Sequence, residues 1–166
     1  TWDIYSNKTE LFPSLHVFKV HQDKAGNDWL LTDNGLGMIR PGDKEPVSYF
    51  TETKGKLSGM NQAFYAVQER DEDICFASDH GRVWVYQKGS GEFVLLELPT
   101  KGRITSIHTV APDMSVITTD SDGFFTCNLK TKASVHYSFL TCKELPAKPI
   151  LSAYVCLLYT SPSPRD

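Results

Sequence analysis

A chain of 166 residues with 40% hydrophobic, 11% aromatic and 22% charged side chains holds enough apolar material for a packed core and too much for a disordered tail. Its formal net charge of -3 leaves no basic footprint, which argues against nucleic-acid binding by this segment. Uninterrupted apolar runs are short, as in Val94-Leu95-Leu96, far below the roughly 20 residues that cross a bilayer, so no membrane span is expected in it.

Residues 1–13 begin on the extended run Thr1-Trp-Asp-Ile-Tyr5 and read as the end of a preceding unit. From there the chain resolves into short β-branched and aromatic runs punctuated by Gly, Pro and Asn, with little helical periodicity to compete. A first set of four strands is predicted over 14–22, 28–33, 36–40 and 47–51, separated by turn chemistry at Lys24-Ala-Gly-Asn27, Asn34-Gly35 and Pro41-Gly-Asp43. A second set falls over 63–69, 74–78, 82–87 and 93–98, and a third over 104–110, 115–119, 124–129 and 134–139. Residues 146–155 read as the first strand of a further set.

The sets are copies of one pattern. Trp29-Leu-Leu-Thr-Asp33-Asn-Gly35, Cys75-Phe-Ala-Ser-Asp79-His-Gly81 and Val116-Ile-Thr-Thr-Asp120-Ser-Asp-Gly123 each run through apolar positions to a hydroxyl, an Asp and a Gly turn, and the three glycines stand 46 and 42 residues apart. That period is the one expected of four-stranded propeller blades. Asn-Gly and His-Gly ahead of a new apolar run predict tight hairpins between the second and third strands. The fold class is therefore all-β: a β-propeller fragment with about three complete four-stranded blades, at 14–52, 53–100 and 101–145, plus partial blades at both ends.

Residues that could carry chemistry have structural readings of their own. Asp33, Asp79 and Asp120 recur at one repeat position, which in a propeller spreads them around one face, and an Asp before a Gly turn is expected to bond local backbone N–H groups. Asp120-Ser-Asp122-Gly123 lacks the sixth-position Gly and twelfth-position Glu of a calcium loop, having Phe125 and Thr131 there. His16, His21, His80, His108 and His136 show no zinc spacing, and His16 and His108 are expected to make ordinary hydrogen bonds within strands. Lys54-Gly-Lys-Leu-Ser-Gly59 lacks the Gly-Lys-Ser/Thr of a phosphate cradle and reads as a crossover. Cys75 and Cys127 sit in apolar strand patterns as small buried hydrophobes, Cys142 lies in a loop, and no C-x-x-C spacing occurs. No metal, cofactor or catalytic residue is expected.

The first repeat, Asp23-Lys-Ala-Gly26-Asn-Asp-Trp29-Leu-Leu-Thr32-Asp-Asn-Gly35-Leu36, resembles the two-component regulator propeller repeat. Gly26, Trp29, Thr32, Gly35 and Leu36 match its pattern, whereas Leu31 stands where the family has Gly, and the later repeats carry Cys75 and Val116 in place of the Trp. The resemblance implies a non-catalytic periplasmic sensor segment of a membrane-bound, often hybrid, histidine kinase of Bacteroidetes type. Its implied partners are an oligosaccharide ligand, neighbouring blades or a propeller of the same parent chain, and a second copy of that parent. The phosphorelay His and Asp would then lie downstream. A secreted or periplasmic scaffold propeller that binds a protein remains open as an alternative, as does a propeller lyase or lactonase. A ligand face would be built from the turn after each second strand and the crossovers between blades, giving Asn34, Asp79, His80 and Ser121 on turns and Asn61, Gln62 and Arg103 on crossovers. Polar groups of this kind beside Tyr or Trp suit sugar hydroxyls.

The last eleven residues, Cys156-Leu-Leu-Tyr-Thr-Ser-Pro-Ser-Pro-Arg-Asp166, match without mismatch one reading frame of the transposase-end adapter used in tagmentation sequencing. They are expected to be a translated adapter, with the natural chain broken near Val155 and continuing in a longer open reading frame. Deleting residues 156–166 is therefore expected to leave the thermal unfolding midpoint unchanged, and a lowered midpoint would overturn the assignment.

Overall fold

The computed structural model describes residue 14, residues 16–51, residue 57, residues 62–145 and residues 148–153. The partial blade expected over 1–13, Asn61 and the tail over 156–166 lie outside the described residues. Of the further strand expected over 146–155, residues 148–153 are described and carry no strand pairing.

Twelve strands occur among the described residues, in three antiparallel meanders. The first sheet holds β1 (Val17–Gln22), β2 (Asp28–Thr32), β3 (Gly35–Ile39) and β4 (Val47–Tyr49). The second holds β5 (Phe64–Glu69), β6 (Asp73–Ser78), β7 (Arg82–Gln87) and β8 (Glu92–Glu97), and the third β9 (Ile104–Ala111), β10 (Met114–Thr119), β11 (Phe124–Asn128) and β12 (Ser134–Tyr137). Within each sheet the spatial order is the chain order. β1 and β2 lie against β5, and β5 and β6 lie against β9. The sheets therefore fan out with their first strands innermost, as an open propeller-like arc of three four-stranded blades.

Alternation along the strands gives each blade two apolar faces. In the middle blade Phe64, Ile74, Phe76 and Trp84 point toward the first blade, where they meet Trp29, Leu31, Leu36, Tyr49 and Phe50. The intervening residues Ala66, Cys75, Ala77 and Val83 point the other way and meet Ile104, Ile107, Ile117, Phe125 and Cys127 of the third blade. One interface is thus filled by rings and the other by small and branched aliphatic groups. Trp29 packs on Phe76 and Tyr86, each with centroids 4.9 Å away, and Phe50 packs on Trp84 at 4.6 Å and Phe93 at 4.9 Å. Each such pair contributes about 0.5–1.5 kcal/mol beyond its buried area. Phe50 adopts a left-handed φ of 57°, which ends β4 two residues before the strand end read from the sequence. Burial of its ring offsets a strain of about 1–3 kcal/mol.

Trp29 is held by more than packing. Its indole Nε1 donates to Asp23 Oδ2 at 2.9 Å, while Asp23 Oδ1 accepts from the backbone N–H of Ala25 at 3.0 Å and of Asn27 at 2.9 Å. Gly26, at φ 85°, closes this turn by donating its N–H to Asp23 O at 2.9 Å. The Asp, Gly and Trp of the first repeat therefore form one unit: a carboxylate nest that satisfies a buried indole. Where Cys75 replaces the Trp, the nest is gone and the hairpin shrinks, with Arg70 N donating directly to Asp73 O at 2.8 Å.

A second device links blade to blade. The N–H of Gly35 donates to Gln62 O at 2.7 Å, and that of Gly81 to Gly102 O at 3.2 Å, so the hairpin glycine of one blade catches the crossover leading into the next. Each hairpin glycine has a left-handed φ: 101° at Gly35, 67° at Gly81 and 75° at Gly123. Each also lies under the end of its blade's fourth strand, where a Cβ would overlap the carbonyl oxygen of Tyr49, Leu98 or Tyr137 respectively. Only glycine meets both demands. The turns themselves differ. In the second blade His80 and Gly81 both take left-handed φ and form the expected tight turn. In the first, Thr32 pairs with Gly35, so the turn is Asp33-Asn34 rather than Asn34-Gly35.

Two stability outcomes follow from this packing. Gly123→Ala is expected to destabilise the chain by more than about 1 kcal/mol, whereas Gly89→Ala, where an added Cβ meets nothing within 4 Å, is expected to be neutral; urea unfolding of both variants checks the contrast. Burial works to raise the pKa of Asp23, but the bonds from Asn27, Trp29 and Ala25 outweigh it and hold the carboxyl below its ordinary value of 3.8. A folded pKa below the unfolded one gives stabilisation that is complete above the unfolded value and lost as pH falls through the folded one. Asp23→Asn is accordingly expected to be about 1–2 kcal/mol less stable at pH 7, with the gap to the parent chain narrowing below about pH 4. An equal gap at both pH values would contradict it.

Candidate functional site

The three innermost strands share an irregularity that the sequence pattern did not reveal. Pairing passes from Val17↔Thr32 to Lys19↔Leu31 in β1, from Phe64↔Ser78 to Ala66↔Ala77 in β5, and from Ile104↔Thr119 to Ser106↔Thr118 in β9. One residue of each strand, Phe18, Tyr65 or Thr105, is left unopposed as a β-bulge at the same repeat position. Bulges re-aim a side chain away from the regular pleat. Here two of the bulge residues meet: Phe18 stacks on Tyr65 across the first two blades, with centroids 5.2 Å apart and planes 24° from parallel. Phe18 remains 52% exposed. The third bulge residue, Thr105, is occupied by hydroxyl contacts, with its Oγ1 2.8 Å from Thr118 Oγ1.

Charged groups gather on Tyr65. The Arg103 guanidinium lies over its ring, 4.9 Å from the centroid, in cation–π contact. Arg103 is itself fixed by Asp120, whose Oδ1 accepts the Arg103 backbone N–H at 3.0 Å and whose Oδ2 lies 3.6 Å from its Nε. Burial first, and then the Asp79 carboxylate, raise the Tyr65 phenol above its ordinary pKa of 10.0, while Arg103 acts to lower it. The hydroxyl consequently keeps its proton at neutral pH and can donate. The result is an aromatic step flanked by a cation and two carboxylates, at the end of the inner strands where the β2–β3-type hairpins and the crossovers converge.

The residues expected on this face have separate fates. Asp79 and Arg103 come together around Tyr65. Ser121 is exposed on the β10–β11 turn and sits beside the same crossover, where its Oγ would lie 2.7 Å from a Cβ at Gly102. His80 is exposed next to Asp79, and Asn34 lies in its own hairpin, its backbone N–H bonded to Thr32 Oγ1 at 3.1 Å. Asn61 lies outside the described residues. Gln62 is buried, 7% exposed, with Oε1 accepting from Trp84 Nε1 at 2.7 Å and its backbone N–H donating to Phe50 O at 3.3 Å. Its side chain pins the crossover to the aromatic interface and does not face solvent.

The repeated Asp residues also differ in detail from the expectation. Asp33 meets His16, Nδ1 to Oδ2 at 2.9 Å, and Asp120 meets Arg103, so each ties the end of a second strand to the start of the first strand beside it rather than to its own turn. His16 precedes β1 and is exposed. His108 lies in β9, and its Nε2 is buried with no hydrogen-bond partner, contrary to the ordinary bonding expected of it. Burial pushes the Cys75 thiol up to about 12, so it is protonated and unreactive. Among the described residues no group of three or more His, Cys, Asp or Glu side chains could hold a metal ion. Phe18 and Tyr65 carry no local signal of their role, because a bulge has no composition of its own; the one trace is Phe64-Tyr65, two rings in succession of which Phe64 alone is buried.

No protein-family model matches the chain, and no curated protein matches it. Solved structures do. The extracellular domain described as that of the hybrid two component system BT3049 from B. thetaiotaomicron has a TM-score of 0.67 at 20% identity, over 84% of this chain and 20% of that one. The extracellular domain of BT4673 from the same organism, described as a one component system, has a TM-score of 0.67 at 16% identity, over 90% of this chain and 20% of that one. At these identities the likeness is one of fold, and this chain spans about a fifth of the length of the structures it matches.

Proposed function

We propose that the chain is a ligand-sensing segment of the periplasmic β-propeller of a two-component sensor kinase, and that it recognises an oligosaccharide without itself performing chemistry. The observation that carries the reading is the half-exposed Phe18 ring stacked on Tyr65, with Arg103 and Asp79 at its flank. A sugar ring offers an apolar C–H face and a rim of hydroxyls, and a platform of this composition answers both. The fold likeness to extracellular domains of Bacteroides signalling systems supports the same reading. In such a system the output is a difference in ligand affinity between two states of the parent receptor rather than turnover. Tyr65 belongs to the second blade and Arg103 to the crossover into the third, so a ligand that engages both bears on the junction between blades.

The test is a screen of neutral and acidic oligosaccharides against the purified chain, followed by calorimetric titration of the best one. Phe18→Ala and Arg103→Ala are each expected to weaken binding by about tenfold or more, the size of one lost stacking or charged contact, with only a small fall in the thermal midpoint because both side chains are exposed. Unchanged affinity in both variants would overturn the site.

A further inference from the structure

Beside the Tyr65 platform, an axial cavity of about 290 Å³ opens between β1, β5 and β9, lined by Lys19, Tyr65, Gln68, Thr105, His108 and Ser152 among others. Its charge sets it apart. No carboxylate lines it, although acidic residues outnumber basic ones by 20 to 17 in the chain. The cavity of about 440 Å³ formed by Lys24, Arg70, Lys130 and their neighbours is the contrast. There every cation is matched, Lys24 by Asp71 at 2.8 Å, Arg70 by Asp73 at 2.8 Å and Lys130 by Asp113 at 3.0 Å. In the axial cavity Lys19 makes no hydrogen bond or ion pair among the described residues, and His108 Nε2 is buried without a hydrogen-bond partner.

An unmatched ammonium and the Ser152 hydroxyl around a concave space without acids form an arrangement that favours negative charge. The volume of about 290 Å³ falls just under the range for ligand pockets, roughly 300–1,000 Å³, so it has room for one charged sugar unit and not for a chain. Tyr65 lines the cavity and also belongs to the platform.

We propose that this axial cavity is an anion site that receives the carboxylate or sulfate group of an acidic saccharide, with Lys19 as the charge that reads it. The inference rests on the sensing reading for its saccharide part and stands apart from it for the anion.

Glucuronate, glucose and sodium sulfate are to be titrated calorimetrically into the 166-residue chain at low ionic strength, then into Lys19→Gln and His108→Gln, with thermal unfolding of each variant as a check on folding. Glucuronate is expected to bind at least about tenfold more tightly than glucose, the size of one charge-assisted hydrogen bond. Lys19→Gln is expected to remove that preference while leaving glucose binding and the thermal midpoint unchanged, since Lys19 is exposed. Equal affinity for glucuronate and glucose would overturn the anion site and leave the sensing reading standing. Sulfate binding as tightly as glucuronate, with both lost in Lys19→Gln, would support the anion site and count against a saccharide ligand. A glucuronate preference that survives in both variants would overturn the assignment to this cavity.

Discussion

Everything in this arc depends on the burial of both faces of a four-stranded sheet by its neighbours. A single meander exposes two apolar faces and is marginal in water; stacked in a fan, each blade supplies the partner that the next one lacks. The middle blade shows how the two faces are kept distinct. Its rings, Phe64, Phe76 and Trp84, face the first blade, and its small residues, Ala66, Cys75 and Ala77, face the third. The Trp29 position and the Cys75 position are equivalent in the repeat, and each points toward the blade that follows. Replacing Trp by Cys therefore accompanies a closer, ring-poor junction in which Ile107, Ile117 and Phe125 supply the bulk.

That stacking is guided by backbone contacts as well as by side chains. Gly35 and Gly81 each give an N–H to the crossover that leads out of their own blade, which sets where the next inner strand begins. Glu69 does similar work toward the other end of that strand, accepting from Lys24 N at 3.0 Å and from Lys88 Nζ at 2.6 Å, with His21 Nε2 at 3.4 Å. Burial opposes the charge on Glu69, yet Lys88 and the Lys24 backbone hold its pKa below the ordinary value. The first two blades are thus tied at both ends of their inner strands.

Between those ties the bulges have freedom to be functional. A regular β5 would leave Tyr65 on one of the two packed faces, whereas the extra residue turns it out toward Phe18 and Arg103. Its environment of a cation above the ring and a carboxylate at the hydroxyl orients the ring without burying it. Phe18 shares its exposure with Val17 and Val20 of the same strand, and what sets it apart is its stacking on Tyr65.

Much of this organisation was legible in the chain. Period, turn residues and alternation placed all twelve strands to within a few residues, because side-chain direction in a strand repeats every second residue and the repeat copies it three times. The Asp23-Gly26-Trp29 motif announced its blade, and the structure supplies the reason in the carboxylate nest around the indole. Gln62 illustrates the limit: an amide in a crossover has the composition of a ligand residue, and only the position of Trp84, 22 residues away in sequence, turns it inward. By itself, then, the sequence determined the class, the three four-stranded sheets of the described residues and the places where hairpins join their strands, since these follow from local periodicity and backbone sterics. Tertiary structure alone decided the geometry of the candidate site, because a bulge and the junction of Phe18, Tyr65 and Arg103 are set by how separate strands register against one another, and no local pattern encodes that.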